Sequence, residues 1–259
     1  MPSLSDKYYQ KIKSLNVIHY AGEVSYYSVA DLRPAERAFL AQLPKGAQIL
    51  DIGCGSGRFS VNAAKLGFKV TGIDITPAAI EACQRRAKEA GMKDITFKVA
   101  DITDMRLSEQ FDYVFCPRFV INAIAANERR RIAIENMYAM CRPGGRIFIE
   151  SFNILYLGQG PWKPLSNVVR AVWRSVHIAW AKLFQRPYDG LFPGDITYPA
   201  NKAQGASDGY AHLPSILEIK SYLKSGRTQS IYEVIGTMRK DWLKPFRYSI
   251  WTTDDVPRS

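Results

Sequence analysis

A chain of 259 residues, 47% apolar and 23% charged, is long enough to bury a full core and too evenly mixed for extended disorder, which points to one elaborated domain. It has no apolar run of membrane-spanning length, and its first residues, MPSLSDKYYQKIK, lack the basic-then-apolar order of a secretory signal, so a cytoplasmic protein is expected. The net charge of +11 would attract phosphates or anionic lipid headgroups, but an excess of that size does not choose the partner. Four cysteines, Cys54, Cys83, Cys116 and Cys141, lack metal-ligand spacing and sit among apolar or small residues, the setting of buried reduced thiols, and no metal site is expected.

In chain order, residues 1–45 read as a helical cap. Its second helix is opened by Pro34, carries Phe39, Leu40 and Leu43, and is stopped by Pro44. The aromatic link HYAGEVSYYS precedes it. Short apolar runs then alternate with amphipathic ones: strand 49–52, helix 58–66, strand 70–73, helix 77–90, strand 95–99, strand 113–116, helix 127–140 and strand 147–150. Gly91 and the pair Gly144-Gly145 mark helix ends, where a left-handed residue turns the chain toward the next strand. This alternation predicts an α/β fold, a mostly parallel sheet covered by helices on both faces. The rhythm breaks over residues 152–210, which read as an inserted lid and acceptor-binding region on a core of 46–151. Residues 211–259 return to the core sheet, with a helix at 215–224 and β-rich segments at 230–235 and 248–252.

Residues Ile49 to Ser60 read ILDIGCGSGRFS. A glycine-rich turn from strand to helix lets a ligand approach the backbone closely, a device shared by several nucleotide classes. A pyrophosphate-binding loop has the spacing G-x-G-x-x-G and an apolar residue ahead of it. Here the glycines are Gly53, Gly55 and Gly57, and Asp51 just ahead of them would repel a phosphate. The expected ligand is therefore cationic where it meets the loop. S-adenosylmethionine fits, since it carries a sulfonium and an α-ammonium and no phosphate. Asp51 would hold the ammonium directly, through water or through oriented backbone groups. Asp74 ends the second strand, where an acid accepts hydrogen bonds from ribose hydroxyls. Asp101 ends the third strand in FKVADITDM, where a carboxylate would take an adenine amino group while Ile75 or Ile102 packs on the ring. Three acids at the carboxyl ends of adjacent parallel strands mark the ligand crevice of a doubly wound sheet.

The segments ILDIGCGSGR, VTGIDIT with its helix PAAIEACQRRA, VADITDM, FDYVFCPRFVINAI and RPGGRIFIES, from Gln48 to Ser151, resemble the class I S-adenosylmethionine-dependent methyltransferases. HLPSILEIKSYLKSG and SIYEVIG more loosely resemble that family's final helix and reversed hairpin strand. The resemblance implies a Rossmann-like methyltransferase fold: a doubly wound, mostly parallel seven-stranded sheet with a reversed C-terminal strand and an inserted lid. It sets S-adenosylmethionine against Asp51, Gly53, Gly55, Gly57, Arg58, Asp74, Ile75, Asp101 and Ile102, with Arg118 or Phe119 beside the methionine portion and Tyr27 of the aromatic link closing over it. The stretch SGRTQSIYEV departs from the family, which often has an aromatic residue after the glycine.

Methyl transfer is an in-line displacement at a carbon already activated by sulfonium, so alignment and exclusion of water dominate, and a base helps only when the accepting atom carries a proton. Of His19, His177 and His212, the last lies where the insertion rejoins the core, in DGYAHLPS. It is the first candidate for a base or an orienting group, with capping of the following helix as the alternative. In the insertion, Val169, Val172, Trp173, Val176, Trp180 and Leu183 share one helical face, and no acidic residue occurs from Ser151 to Tyr188. Such a helix packs on its own domain as a lid, caps an apolar pocket or lies on an anionic membrane surface. The expected activity is methylation of a small, apolar or amphiphilic acceptor. RNA methylation is the alternative that the charge favours, but enzymes acting on exocyclic base amines share an Asn/Asp-Pro-Pro-aromatic motif where this chain reads CPRF. A non-catalytic cofactor-binding protein at a membrane surface is the third reading. The receiving atom and the oligomeric state are left open.

Overall fold

A computed structural model describes residues 4–23, 31–105, 109–152, 163–183, 193–198, 209–214, 218 and 246–252. Tyr27, the expected strand at 230–235 and, apart from Glu218, the expected helix at 215–224 lie outside the described residues.

The apolar runs form β1 (Gln48–Ile52), β2 (Lys69–Asp74), β3 (Ile95–Val99), β4 (Phe111–Cys116) and β5 (Cys141–Phe152). These five are parallel, and β8 (Phe246–Thr252) closes the edge antiparallel to β5, giving the order β3-β2-β1-β4-β5-β8. The described sheet thus has six strands, and its reversed strand is β8, while SIYEVIG lies outside the described residues. Alternate residues feed two cores, because successive side chains of a strand point to opposite faces. Leu50, Ile52, Val114, Cys116, Ile147 and Ile149 pack with Ala133, Ile134 and Met137 of α6 (Asn127–Met140) on one face. Ile49, Phe115 and Phe148 face the other, with Phe59 of α3 (Arg58–Lys65) and Phe39 and Leu40 of α2 (Pro34–Leu40). There the rings of Phe59, Phe115 and Phe148 stack in series, with centroids 4.4 and 4.9 Å apart. Helix α4 (Pro77–Glu89) lies against β2 and β3.

Four features depart from the sequence reading. The cap's first helix, α1 (Leu4–Glu23), runs on into the expected aromatic link as far as Glu23, which buries His19. A one-turn helix, α5 (Val120–Ala123), follows β4 directly. Strand β5 starts at Cys141, so Gly144-Gly145 forms an irregularity within the strand rather than a helix end: the register slips between the pairs Phe111–Cys141 and Tyr113–Arg146. A Cβ on Gly145 would lie 2.5 Å from the Asp112 carbonyl oxygen, so only glycine fits. Within and after the insertion, β6 (Asp195–Tyr198) and β7 (Gly209–His212) pair antiparallel as a separate small sheet, which packs on α1 and α5 through β7. Helix α7 (Lys163–Leu183) precedes them. All four cysteines are buried and free. Among the described residues, no helix is long and apolar enough to cross a membrane.

Candidate functional site

The carboxyl ends of β1 and β2 meet at the glycine loop, and β3 ends on the other side of β2. Gly53, Gly55 and Gly57 all have left-handed backbone angles, φ +69, +54 and +79°, which glycine adopts without a side-chain clash. The Gly53 and Cys54 N–H groups both donate to the Ile73 carbonyl, at 2.8 and 3.0 Å, tying the loop to β2. A Cβ on Gly53 would strike Val120, whereas one on Gly55 would enter open space. The loop is therefore closed on the α5 side and open at Gly55.

Asp51 lies beneath this loop, 0% exposed. Its Oδ2 accepts from the Ser60 hydroxyl at 2.5 Å, while Oδ1 has no hydrogen-bond partner among the described residues. Burial pushes its carboxyl up to about 7, against the opposing effects of Ser60 and the Arg58 charge. Asp74, partly exposed, accepts from the Gly55 N–H through Oδ2 and the Thr76 N–H through Oδ1, both at 2.9 Å. A carboxylate offers about four lone-pair sites, so these two bonds leave capacity for a further donor. Burial raises its pKa too. Ile75 is half-buried, and Ile102 is packed in the core shared with Tyr9 and Ile12 of α1.

Asp101 is differently placed. Its Oδ2 takes a hydrogen bond from the Tyr9 hydroxyl and an ion pair from Lys13 Nζ at 2.5 Å. Its Oδ1 accepts the Thr103 N–H and hydroxyl, each at 2.8 Å. Burial alone would raise its pKa, but Lys13 and Tyr9 hold it below the usual value. Farther along α1, Asn16 donates to the Ala123 carbonyl at 2.8 Å. Helix α1 thus bridges from the end of β3 to α5, across the rim where the loop opens.

On the far side of the loop, Arg58 is spent on a buried pair. Its guanidinium grips Glu36 of α2 in a fork at 2.6 and 2.7 Å and donates to the Asp31 carbonyl at 3.0 Å. Burial works to raise the Glu36 pKa, but Arg58 and Arg33 bring it below the ordinary value. Arg33 also pairs with Glu150, at the carboxyl end of β5, and Glu150 accepts the Arg118 N–H at 2.8 Å. Arg118 and Phe119 are consecutive non-glycine residues in the left-handed region, φ +58 and +64°, a costly turn held by that bond and by Arg33 lying 6.0 Å from the Phe119 ring centroid.

His212 is 1% exposed. Its Nδ1 faces Asp195 Oδ1 at 2.7 Å and its Nε2 faces the Glu218 carboxylate at 2.9 and 3.0 Å. Tyr210 and Tyr8 donate to Asp195 at 2.7 and 3.1 Å, Arg130 pairs with Glu218 at 3.1 Å, and Asn122 of α5 donates to the His212 carbonyl at 2.5 Å. His212 therefore stands beside α5 with both ring nitrogens engaged, and Glu218 covers the one away from Asp195. The sequence reading missed these partners together with Tyr9, Lys13, Arg33, Glu36 and Glu150. Only Glu150 carried a local signal, an acid closing the apolar strand IFIE as Asp74 closes GID.

A loop that opens at Gly55 over a buried carboxylate with one vacant oxygen, next to a second carboxylate with spare acceptor capacity, suits a cationic nucleoside and opposes a phosphate. With the strand order β3-β2-β1-β4-β5, that arrangement places the chain among the doubly wound folds that hold a ligand at the carboxyl ends of their strands. Residues 43–184 match the family described as "Methyltransferase domain". The chain belongs to that family, the class I S-adenosylmethionine-dependent methyltransferases, whose cofactor is S-adenosylmethionine. A ubiquinone biosynthesis O-methyltransferase of Xanthomonas axonopodis pv. citri is 29% identical over 42% of this chain and 45% of its own length. That of Pseudomonas entomophila is 32% identical over 46% and 48%. The chain spans less than half the length of these curated relatives. An S-adenosylmethionine-dependent methyltransferase from Clostridium acetobutylicum shares the fold, with a TM-score of 0.59 over 86% of this chain and 92% of that one at 12% identity.

Proposed function

We propose that this chain transfers the methyl group of S-adenosylmethionine to a hydroxyl oxygen of a small, apolar or amphiphilic molecule. The observation that carries the reading is the buried Asp51 carboxylate beneath a glycine loop open at Gly55. When bound, the cofactor supplies a methyl carbon activated by its sulfonium. Because Asp51 is fully buried, its charge reaches the ammonium end through the loop backbone. Asp74 accepts from the ribose hydroxyls while staying fixed by Gly55 and Thr76. Gly53, Gly57, Ile75 and Ile102 shape the floor, and Arg118 and Phe119 border the methionine end. Arg58 acts at one remove, by locking α2 to the loop helix. Asp101 serves the adenine only when α1 yields a lone pair on its carboxylate. The names of the curated relatives support oxygen as the receiving atom. A hydroxyl must lose its proton as the carbon–oxygen bond forms. Since His212 is covered at Nε2, we assign the proton's first stop to Glu218, with His212 and Asp195 orienting it.

The test is transfer of labelled methyl from S-adenosylmethionine to a whole-cell extract. Label that partitions into organic solvent and survives nuclease and protease is expected. Label released only by nuclease would overturn the small-molecule reading in favour of RNA.

A further inference from the structure

Helix α7 is amphipathic, yet its apolar stripe stays at least half exposed. At about 100° per residue, Val169, Val172, Trp173, Val176, Trp180 and Leu183 fall on one face. All are at least half exposed, with Trp173 at 72% and Leu183 at 75%. The opposite side meets the domain: Ala171 and Arg174 are partly buried, and Arg174 donates to the Asp195 carbonyl at 2.5 Å. An ordinary lid helix would bury the stripe and expose the arginine. Exposing a contiguous stripe of large apolar side chains marks an interaction surface.

We propose that α7 docks on the surface of a bilayer bearing anionic headgroups. Charge complementarity selects this occupant. From Ser151 to Tyr188 the chain has five basic residues, Lys163, Arg170, Arg174, Lys182 and Arg186, and no acidic one, so this short segment holds nearly half of the net charge of +11. Arg170 and the exposed His177 border the stripe on one side. An apolar face carrying tryptophan, flanked by basic groups on an otherwise polar cylinder, is the pattern of helices that lie in the headgroup layer. A helix that crosses the bilayer is ruled out for α7 by its hydropathy. Through Arg174 and β6 the docked helix stands next to the sheet that carries His212, so the reaction crevice would sit close to a reservoir of amphiphilic molecules.

The experiment uses the full chain with phosphatidylcholine vesicles, with and without phosphatidylglycerol. Cosedimentation with the anionic vesicles only, weakened by added salt and accompanied by a blue shift of tryptophan emission, is the expected result. Trp173→Glu should lower that binding at least tenfold while the unfolding midpoint and S-adenosylhomocysteine binding stay unchanged, since the side chain is exposed and lies outside the cofactor site. Failure to sediment with either vesicle, or equal binding by Trp173→Glu, would overturn the proposal. So would a dimer that this variant splits in sedimentation velocity, which would mean that a second copy covers the stripe.

Discussion

Asp51 has no exposed atom, and its carboxyl titrates at about 7, whereas an aspartate in an unfolded chain titrates near 3.9. Between those two values the folded protein keeps a proton that the unfolded chain has released. Stability of the ligand-free protein therefore falls as pH rises through this window, because a raised carboxylate pKa favours the folded state only while the group is protonated. The denaturation midpoint should drop between about pH 4 and about pH 7, and the drop should be smaller in Asp51→Asn, which keeps an acceptor for Ser60 and loses the charge. A cation settling over the loop favours the carboxylate. S-adenosylmethionine binding at about pH 6.5 should thus release a proton, visible in calorimetry as heat that varies with the buffer's ionisation enthalpy. The same heat in Asp51→Asn would move the titrating group elsewhere.

Helix α1 is the element whose role changes most once its packing is known. Its apolar residues Tyr9 and Ile12 dock in the core, and from that anchorage Tyr9 and Lys13 reach Asp101. With Thr103 on the other oxygen, four donors occupy a carboxylate that has about four lone-pair sites. An adenine amino group must displace one of them. If Asp101 receives the ring, removing a competitor should help: Lys13→Ala is expected to tighten S-adenosylmethionine binding a few-fold and Tyr9→Phe to act in the same direction. Equal or weaker affinity in both variants would take Asp101 out of the adenine site. The short helix α2 works differently. It brings Glu36 to Arg58, and the buried fork ties the cap to the start of the loop helix, where removal of either partner leaves the other charge stranded.

For the whole molecule, the parallel sheet sets the glycine loop, Asp51 and Asp74 at one rim, while β7 of the small sheet packs on α1 and α5. A ligand bound by the folded chain alone stabilises the folded state by mass action, by about 2.7 kcal/mol at a hundredfold excess over Kd. S-adenosylhomocysteine should accordingly raise the unfolding temperature, whereas nicotinamide or flavin dinucleotides should leave it unmoved because their phosphates would lie over a loop with the Asp51 carboxyl buried beneath it. A rise with a dinucleotide alone would contradict the charge argument for the site.

The strands, their parallel order and the glycine loop with its acids were legible because they rest on local periodicity and on short-range backbone demands: apolar runs of strand length, glycines where φ must be positive, acids just past strand ends. Partners far apart in sequence were not legible. Tyr9 and Asp101 are separated by 92 positions, Arg33 and Glu150 by 117, and Asn122 and the His212 carbonyl by 90. No local pattern in either segment specifies such a meeting. The face of α7 was likewise legible as a stripe but not in its direction, since amphipathic periodicity says which residues stay together and only packing says whether they turn inward. The sequence by itself determined a parallel sheet with a glycine loop flanked by acids, because those features follow from neighbours along the chain. The tertiary structure alone decided which carboxylates remain available to a ligand and which are already held, because that depends on side chains brought together by packing.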